Sequence, residues 1–229
     1  MYRKFLNARS PLRLLEKGLH GGLGPGNLGV VIAGHGVGKA SFLVGVALDE
    51  LLRSGRVLHV SMIHTVSHIR DHYDTVFEEL AASAHLEDEA QVHVDIDRNR
   101  SIRVYPKNAL TTAKLREAVK VESDTSGQPS MVLIEGLDFE TTPREDFADL
   151  KALAGELAAE VWLSVSYSKE QIVQLPASVE HVEDLVSVAL ALEPGDDAVL
   201  LRALKDHDNP DLTDLHVALD PKTLLLTRH

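Results

Sequence analysis

The segment from Leu28 to Leu52 constrains this chain more than any other. Leu28–Ala33 (LGVVIA) is an unbroken apolar run rich in β-branched residues, the pattern of a strand covered on both faces. A glycine-rich stretch, Gly34-His35-Gly36-Val37-Gly38-Lys39, follows at once. The spacing ASFLVGVALDELL then predicts a helix over Ala40–Leu52, with Gly55 as its stop. A doubly buried strand feeding a helix points to an α/β body built on a parallel sheet.

The rest of the chain continues the alternation. Val57–Met62 reads as a strand, and Ser67–Ala82 as a helix with Ile69, Tyr73, Val76, Phe77 and Leu80 on one stripe. His85–Arg100 is polar enough to read as loop or mobile surface, and Asp95, Asp97, Arg98, Arg100 and Arg103 as a solvated charge run. A strand at Ile102–Tyr105, a helix at Thr111–Val121, a loop at Thr125–Pro129 and a buried strand at Met131–Ile134 come next. A helix at Arg144–Ala159 and a strand at Val161–Val165, begun by the core residue Trp162, complete the body. From residue 185 the pattern changes. Leu185–Leu192, Ala198–Lys205, Leu215–Leu219 and Leu224–Thr227 read as an antiparallel meander broken by Pro194-Gly195-Asp196-Asp197 and Asp208-Asn209-Pro210. Residues 1–229 are expected to form one domain, with 1–27 as an N-terminal arm and lead-in turn and 185–229 as the meander.

Composition excludes several classes. With no cysteine among 229 residues, a disulfide scaffold and a cysteine-ligated zinc site are ruled out. A net charge of −12 argues against nonspecific binding to nucleic acid or anionic membranes, which are held by Lys and Arg. No apolar run approaches the ~20 residues that span a bilayer, and the basic start lacks the apolar core of a signal peptide, so a cytoplasmic location is expected.

The glycine-rich stretch has the chemistry of a phosphate cradle. Glycines let the backbone turn tightly and aim successive N–H groups at an anion, and a helix N-terminus adds its positive dipole end. Gly34, His35, Gly36, Val37, Gly38, Lys39, Ala40 and Ser41 are the candidate nucleotide-binding residues, with Lys39 placed to reach the terminal phosphates. The match to G-x-x-x-x-G-K-[ST] is partial: Ala33 stands for the first glycine and Ala40 for the hydroxyl that ligates magnesium, while Ser41 comes one place late. Met131-Val132-Leu133-Ile134-Glu135 is an apolar strand ending in a carboxylate, and Glu135 is the residue expected to face any metal ion.

Residues Ser10–Ser41 resemble the start of RecA-superfamily ATPases of the KaiC and RadA branch. There a short helix and a Gly-Gly-Gly-Leu-Pro-x-Gly turn lead into the phosphate-loop strand; Gly21-Gly22-Leu23-Gly24-Pro25-Gly26 is similar with altered order. The likeness continues through Val57–Ser61, Met131–Glu135 and Val161–Glu170, where Ser168-Lys169-Glu170 resembles a Thr-Lys-Glu stretch, and ends in Leu185–Lys205. The resemblance implies a three-layer RecA-like core, with a mainly parallel sheet and a C-terminal antiparallel extension. It also implies ATP or ADP with Mg²⁺ at subunit interfaces of a ring or filament. The departures matter as much. Where the family carries a water-activating glutamate, this chain has Ile63 and His64, and an isoleucine cannot act as a base. Where it carries Lys-x-Arg reaching a neighbour's phosphates, this chain has Lys205-Asp206-His207, and loss of such an arginine costs on the order of 10³–10⁵ in rate.

His64, His68 and His72 recur at every fourth position, with His59 nearby; a divalent-metal site and a solvated histidine face are the two readings of that spacing. Thr65 or Ser67 caps the helix, which leaves His64 outside it. Tyr2–Leu15 interleaves apolar and basic residues as an arm packing on another subunit would. The function expected is a degenerate nucleotide-binding protein with little or no hydrolysis, a regulatory or assembly subunit in a homo-oligomer (ring or dimer) or with a regulatory protein partner. The alternatives are an active ATPase using His64 or Glu135 in unusual roles, and a nucleotide-free scaffold.

Overall fold

The computed structural model describes all residues except 1–5, 9, 169, 170 and 213. Tyr2–Phe5 of the expected arm and Lys169-Glu170 of the RadA-type stretch therefore lie outside the described residues. Among the described residues, nine strands form one sheet in the order β3-β2-β4-β5-β1-β6-β7-β8-β9. Their ranges are β1 Leu28–Ala33, β2 Val57–Ser61, β3 Arg100–Val104, β4 Met131–Glu135, β5 Glu160–Ser166, β6 Val186–Pro194, β7 Val199–Asp206, β8 Val217–Leu219 and β9 Leu226–Arg228. The helices are α1 Leu12–Gly18, α2 Lys39–Leu52, α3 Val66–Ala84, α4 Glu89–Asn99, α5 Thr112–Thr125, α6 Arg144–Leu157 and α7 Ala177–Glu180. Strands β1 to β6 run parallel, and β6 to β9 pair antiparallel. The expected α/β class, the mainly parallel sheet and the C-terminal antiparallel group are thus present.

Two apolar layers flank the sheet, as the uninterrupted burial of β1 requires. Val31 and Ala33 face a cluster with Phe42, Leu43 and Ala47 of α2, Tyr73 and Phe77 of α3, and Val92 and Ile96 of α4. Leu28, Val30 and Ile32 face the other side, against Leu115 and Val119 of α5 and Phe147, Leu150 and Leu153 of α6. Trp162 is core, as its place in the sequence suggests; its ring meets Phe42 edge-on at 5.6 Å. The meander continues the same sheet and packs with the body, since Val217 and Leu219 share the cluster of α2.

Residues 85–100 correct the sequence reading. They are not loop: α4 occupies Glu89–Asn99, and β3 begins at Arg100. Only Val92 and Ile96 of α4 are buried, whereas Val94 is 49% exposed, so two inward residues in a charged stretch hid the helical period. The charge run is partly internal too. Arg100 is buried, pairs with Asp97 and lies 4.5 Å from the centre of the Tyr73 ring. A smaller refinement concerns residues 186–194, which pair parallel with β1 on one side and antiparallel with β7 on the other.

The lead-in turn is clamped to both ends of this frame. Gly26 N–H donates to the Ala159 carbonyl, Gly24 N–H donates to Glu160 Oε1, and His20 pairs with the buried Asp206 at 2.6 Å. Gly29, inside β1, is tightly surrounded: a Cβ there would lie 2.6 Å from the Trp162 ring. Gly29→Ala is expected to lose about 1–3 kcal/mol through overpacking. Urea unfolding followed by the fluorescence of Trp162, the one tryptophan of the chain, checks this.

Candidate functional site

Parallel pairing brings the carboxyl ends of β1, β2, β4 and β5 to one edge, where open α/β sheets place their ligand crevices. A cavity of about 710 Å³ opens there. The loop from Gly34 to Gly38 leaves β1 at that edge and turns into α2. Gly38 precedes the helix with φ +117°, and a Cβ at that position would sit 2.4 Å from Leu219 of β8, so the turn requires glycine. Gly36, at φ +75°, has no heavy atom within 4 Å of where its Cβ would be and borders open space. Lys39 begins the 14-residue α2, and its Nζ donates to the carbonyls of Ala33 (3.0 Å) and Gly34 (2.8 Å). Burial lowers the Lys39 ammonium from its ordinary value, and Glu135 acts in the opposite direction.

Across the cavity, β4 ends in Glu135, only 3% exposed. Burial pushes its carboxyl up, but the hydrogen bond to His59 and the nearby imidazoles of His59, His64 and His72 outweigh this, and the group lies below the ordinary carboxylate value. Glu135 Oε2 is 3.1 Å from His59 Nε2, and His59 Nδ1 is 3.2 Å from the Tyr73 hydroxyl. Burial raises the Tyr73 hydroxyl far beyond titration, while Arg100 opposes this. With Glu135 ionised, His59 Nε2–H donates to it, and Nδ1 pairs with the Tyr73 hydroxyl. The buried carboxylate is thereby tied through β2 into the core under α3.

The third wall is imidazole. Thr65 caps α3 by accepting from the His68 N–H, so His64 lies just outside the helix as expected. Its ring nevertheless stacks on His68 at 4.4 Å and 21°. One turn on, His72 Nε2 lies 3.3 Å from Ser41 Oγ. Burial lowers both His64 and His72 from the ordinary histidine value, with Glu135 pulling each back up. Ile63, beside His64, is 56% exposed.

Most sequence-predicted residues converge here. His35, Gly36, Gly38, Lys39, Ala40, Ser41, His64 and Glu135 all line the cavity. Gly34 shapes the loop through its carbonyl, and Val37 packs against the core cluster instead of facing the cavity. Lys205 lies elsewhere, on β7, with Nζ donating to the Glu183 carbonyl. Sequence reasoning did not place Lys107, Asp138, Glu140, Ser164 or Ser166 in the lining. The signal was available in part: each follows or ends a parallel strand, and such ends meet at one edge.

The donors at this edge do not match a magnesium site. Magnesium takes oxygen ligands in near-octahedral geometry. Here Ala40 offers no hydroxyl, Ser41 Oγ faces His72, and Glu135 is bonded to His59. Asp138 Oδ1 accepts the N–H groups of Glu140 and Thr141. Among the described residues, no group of three or more His, Asp or Glu is placed to hold a metal ion, so His64, His68 and His72 do not assemble into one. Among the described residues, no helix is long and apolar enough to cross a membrane. In comparisons with known proteins, the chain matches no family model and no curated protein.

His59→Leu would strand the Glu135 carboxylate without its buried partner and is expected to cost about 3–5 kcal/mol at neutral pH. The double variant His59→Leu/Glu135→Leu should recover most of that loss. The deficit of the single variant should shrink as pH falls through the carboxylate range, because protonation removes the unpaired charge. Chemical denaturation at two pH values measures both effects.

Proposed function

We propose that the chain is a RecA-like nucleotide-binding protein of the KaiC and RadA type that holds ATP or ADP with little or no hydrolysis. The observation that carries this reading is the loop Gly34–Lys39. It joins a doubly buried strand to the N-terminus of a long helix, and its crown opens on a cavity faced by Lys39. Backbone N–H groups at such a turn, the helix dipole and one ammonium suit a polyphosphate. When phosphates enter, Lys39 exchanges two carbonyl partners for charged oxygens, a stronger class of hydrogen bond.

The absence of hydrolysis is inferred from how the nearby groups are occupied. Orienting a water for phosphoryl transfer takes a carboxylate or amide next to the terminal phosphate. After β2 the chain offers Ile63 and the stacked His64, and Glu135 is buried and bound to His59. Such a chain acts by binding and assembly, as a regulatory subunit of a ring or dimer or with a regulatory protein partner. Ile63, which lines the cavity and is exposed, and the nearby exposed Val66 suit a contact with such a partner.

A native-state ligand at about a hundred times its Kd stabilises by about 2.7 kcal/mol. Millimolar ATP or ADP should therefore raise the melting temperature of the wild type and leave Lys39→Ala unmoved, while phosphate release stays at the blank. No shift in the wild type would exclude the binding reading. Release that disappears in Lys39→Ala would exclude the non-hydrolysing one.

A further inference from the structure

Away from the loop's N–H groups, the side-chain charge around the cavity is net negative while its imidazoles are neutral. The phosphate loop and the start of α2 contribute His35 and Lys39, and the segment after β3 contributes Lys107. The end of β4 and the loop beyond it contribute Glu135, Asp138 and Glu140. β5 and α7 add only the hydroxyls of Ser164, Ser166 and Ser178. Three carboxylates thus face two ammonium groups, in a chain whose net charge is already −12. The groups able to reverse that balance are the histidines: His35 in the loop, His59 and His64 from β2 and its end, and His68 and His72 from α3.

We propose that this cavity binds its polyphosphate ligand free of magnesium and with uptake of protons, the imidazolium rings of His64, His68 and His72 supplying the positive charge. The inference rests on the nucleotide-binding reading above and names the ionic form in which the ligand is taken. Three features of the geometry carry it. His72 reaches Ser41, directly after the residue that replaces the usual metal-binding hydroxyl, so an imidazole stands beside the position where phosphate loops hold a cation. His64 and His68 stack face to face at 4.4 Å, an arrangement that two charged rings tolerate only with an anion near both. Ala40 supplies no hydroxyl for a magnesium ion, and Ser41 Oγ, one oxygen of Glu135 and one of Asp138 are already engaged by protein groups.

In the free protein, burial holds His64 and His72 below the ordinary histidine value and so favours their neutral forms, with Glu135 acting the other way. A polyphosphate placed among them favours the charged form, and by linkage each proton taken up strengthens binding as pH falls, up to about tenfold per unit. Proton uptake, not metal chelation, then controls affinity.

The test is titration calorimetry with ATP, in EDTA and in excess magnesium, at about pH 6 and about pH 8, using buffers of different ionisation heats. For the wild type we expect about tenfold or more tighter binding at the lower pH in EDTA, buffer-dependent heats that report proton uptake, and no gain from magnesium. The variant His64→Gln/His72→Gln should keep the affinity seen at the higher pH and lose most of the rise, the remainder resting on His68, which separates its effect from ATP's own protonation. His68→Gln, on the exposed side of α3, should lose part of the rise and guards against a folding defect in the double variant. Binding that requires magnesium, or a pH dependence identical in wild type and double variant, overturns the inference and leaves the nucleotide-binding reading standing. No binding under any of these conditions overturns both.

Discussion

The parallel ladders on both sides of β1 are the constraint from which the rest of the molecule follows. β1 pairs with β5 over Leu28 to Ala33 and with β6 over Leu28 to Ile32, so its backbone is satisfied within the sheet and its side chains are buried on both faces. A strand fixed in that way has one exit, at the edge where β2, β4 and β5 also end. The loop after Ala33 must therefore open into the same space as Glu135 and Ser166, and α2 must fold back over the sheet. The meander completes the restraint. Leu219 of β8 sits where a side chain at position 38 would be, and Leu226 of β9 lies within van der Waals distance of where a Cβ on Gly45 would be. The conformation of the cradle is thus held by strands from the far end of the chain.

The same edge shows why a carboxylate in the expected place need not do the expected chemistry. Glu135 ends the strand that its sequence predicts, yet its oxygen is engaged by His59, whose other nitrogen is engaged by Tyr73, over which Arg100 lies. This is a continuous polar chain in an otherwise apolar interior. Removing water from such groups is costly unless each finds a partner; Glu135, His59 and Tyr73 do, while Arg100 keeps Nη1 buried without a hydrogen-bond partner. A carboxylate committed to that chain stabilises the junction of β2 and β4. Releasing it to bind water would leave a buried imidazole without its acceptor.

How far the sequence reveals this depends on whether the signal is local. The strand Leu28–Ala33 and the helix after it are legible because burial on both faces and a 3.6-residue period are written in adjacent residues. So are the cap at Thr65 and the placement of His64 outside α3. The helix Glu89–Asn99 escaped because it rests on the sheet edge through Val92 and Ile96 alone, and its remaining positions carry no inward apolar period. The alignment of Lys107, Asp138 and Ser166 with the cradle is a property of strand order, which no stretch of residues records. Likewise, the pairing of His59 with Glu135 joins positions 76 apart and becomes visible only when β2 and β4 are neighbours.

An acidic protein that holds a polyphosphate has to create a local field opposed to its own. Fixed positive charge would do so at every pH and would also attract nucleic acid; a magnesium ion would do so through oxygen ligands, of which Ser41 Oγ and one oxygen each of Glu135 and Asp138 are already engaged here. Histidine offers a third solution, since its charge appears only when an anion is present to stabilise it or when the medium is acidic. The observed arrangement has the features that solution needs. His64 and His72 line the same cavity as the Lys39 loop, are partly buried so that the neutral form is favoured without a ligand, and lie close enough to Glu135 that it pulls each back up. On the proposed reading, the alanine at position 40 and the histidines at positions 64 and 72 act together: protons would do at this loop what a metal ion does at G-x-x-x-x-G-K-[ST] loops.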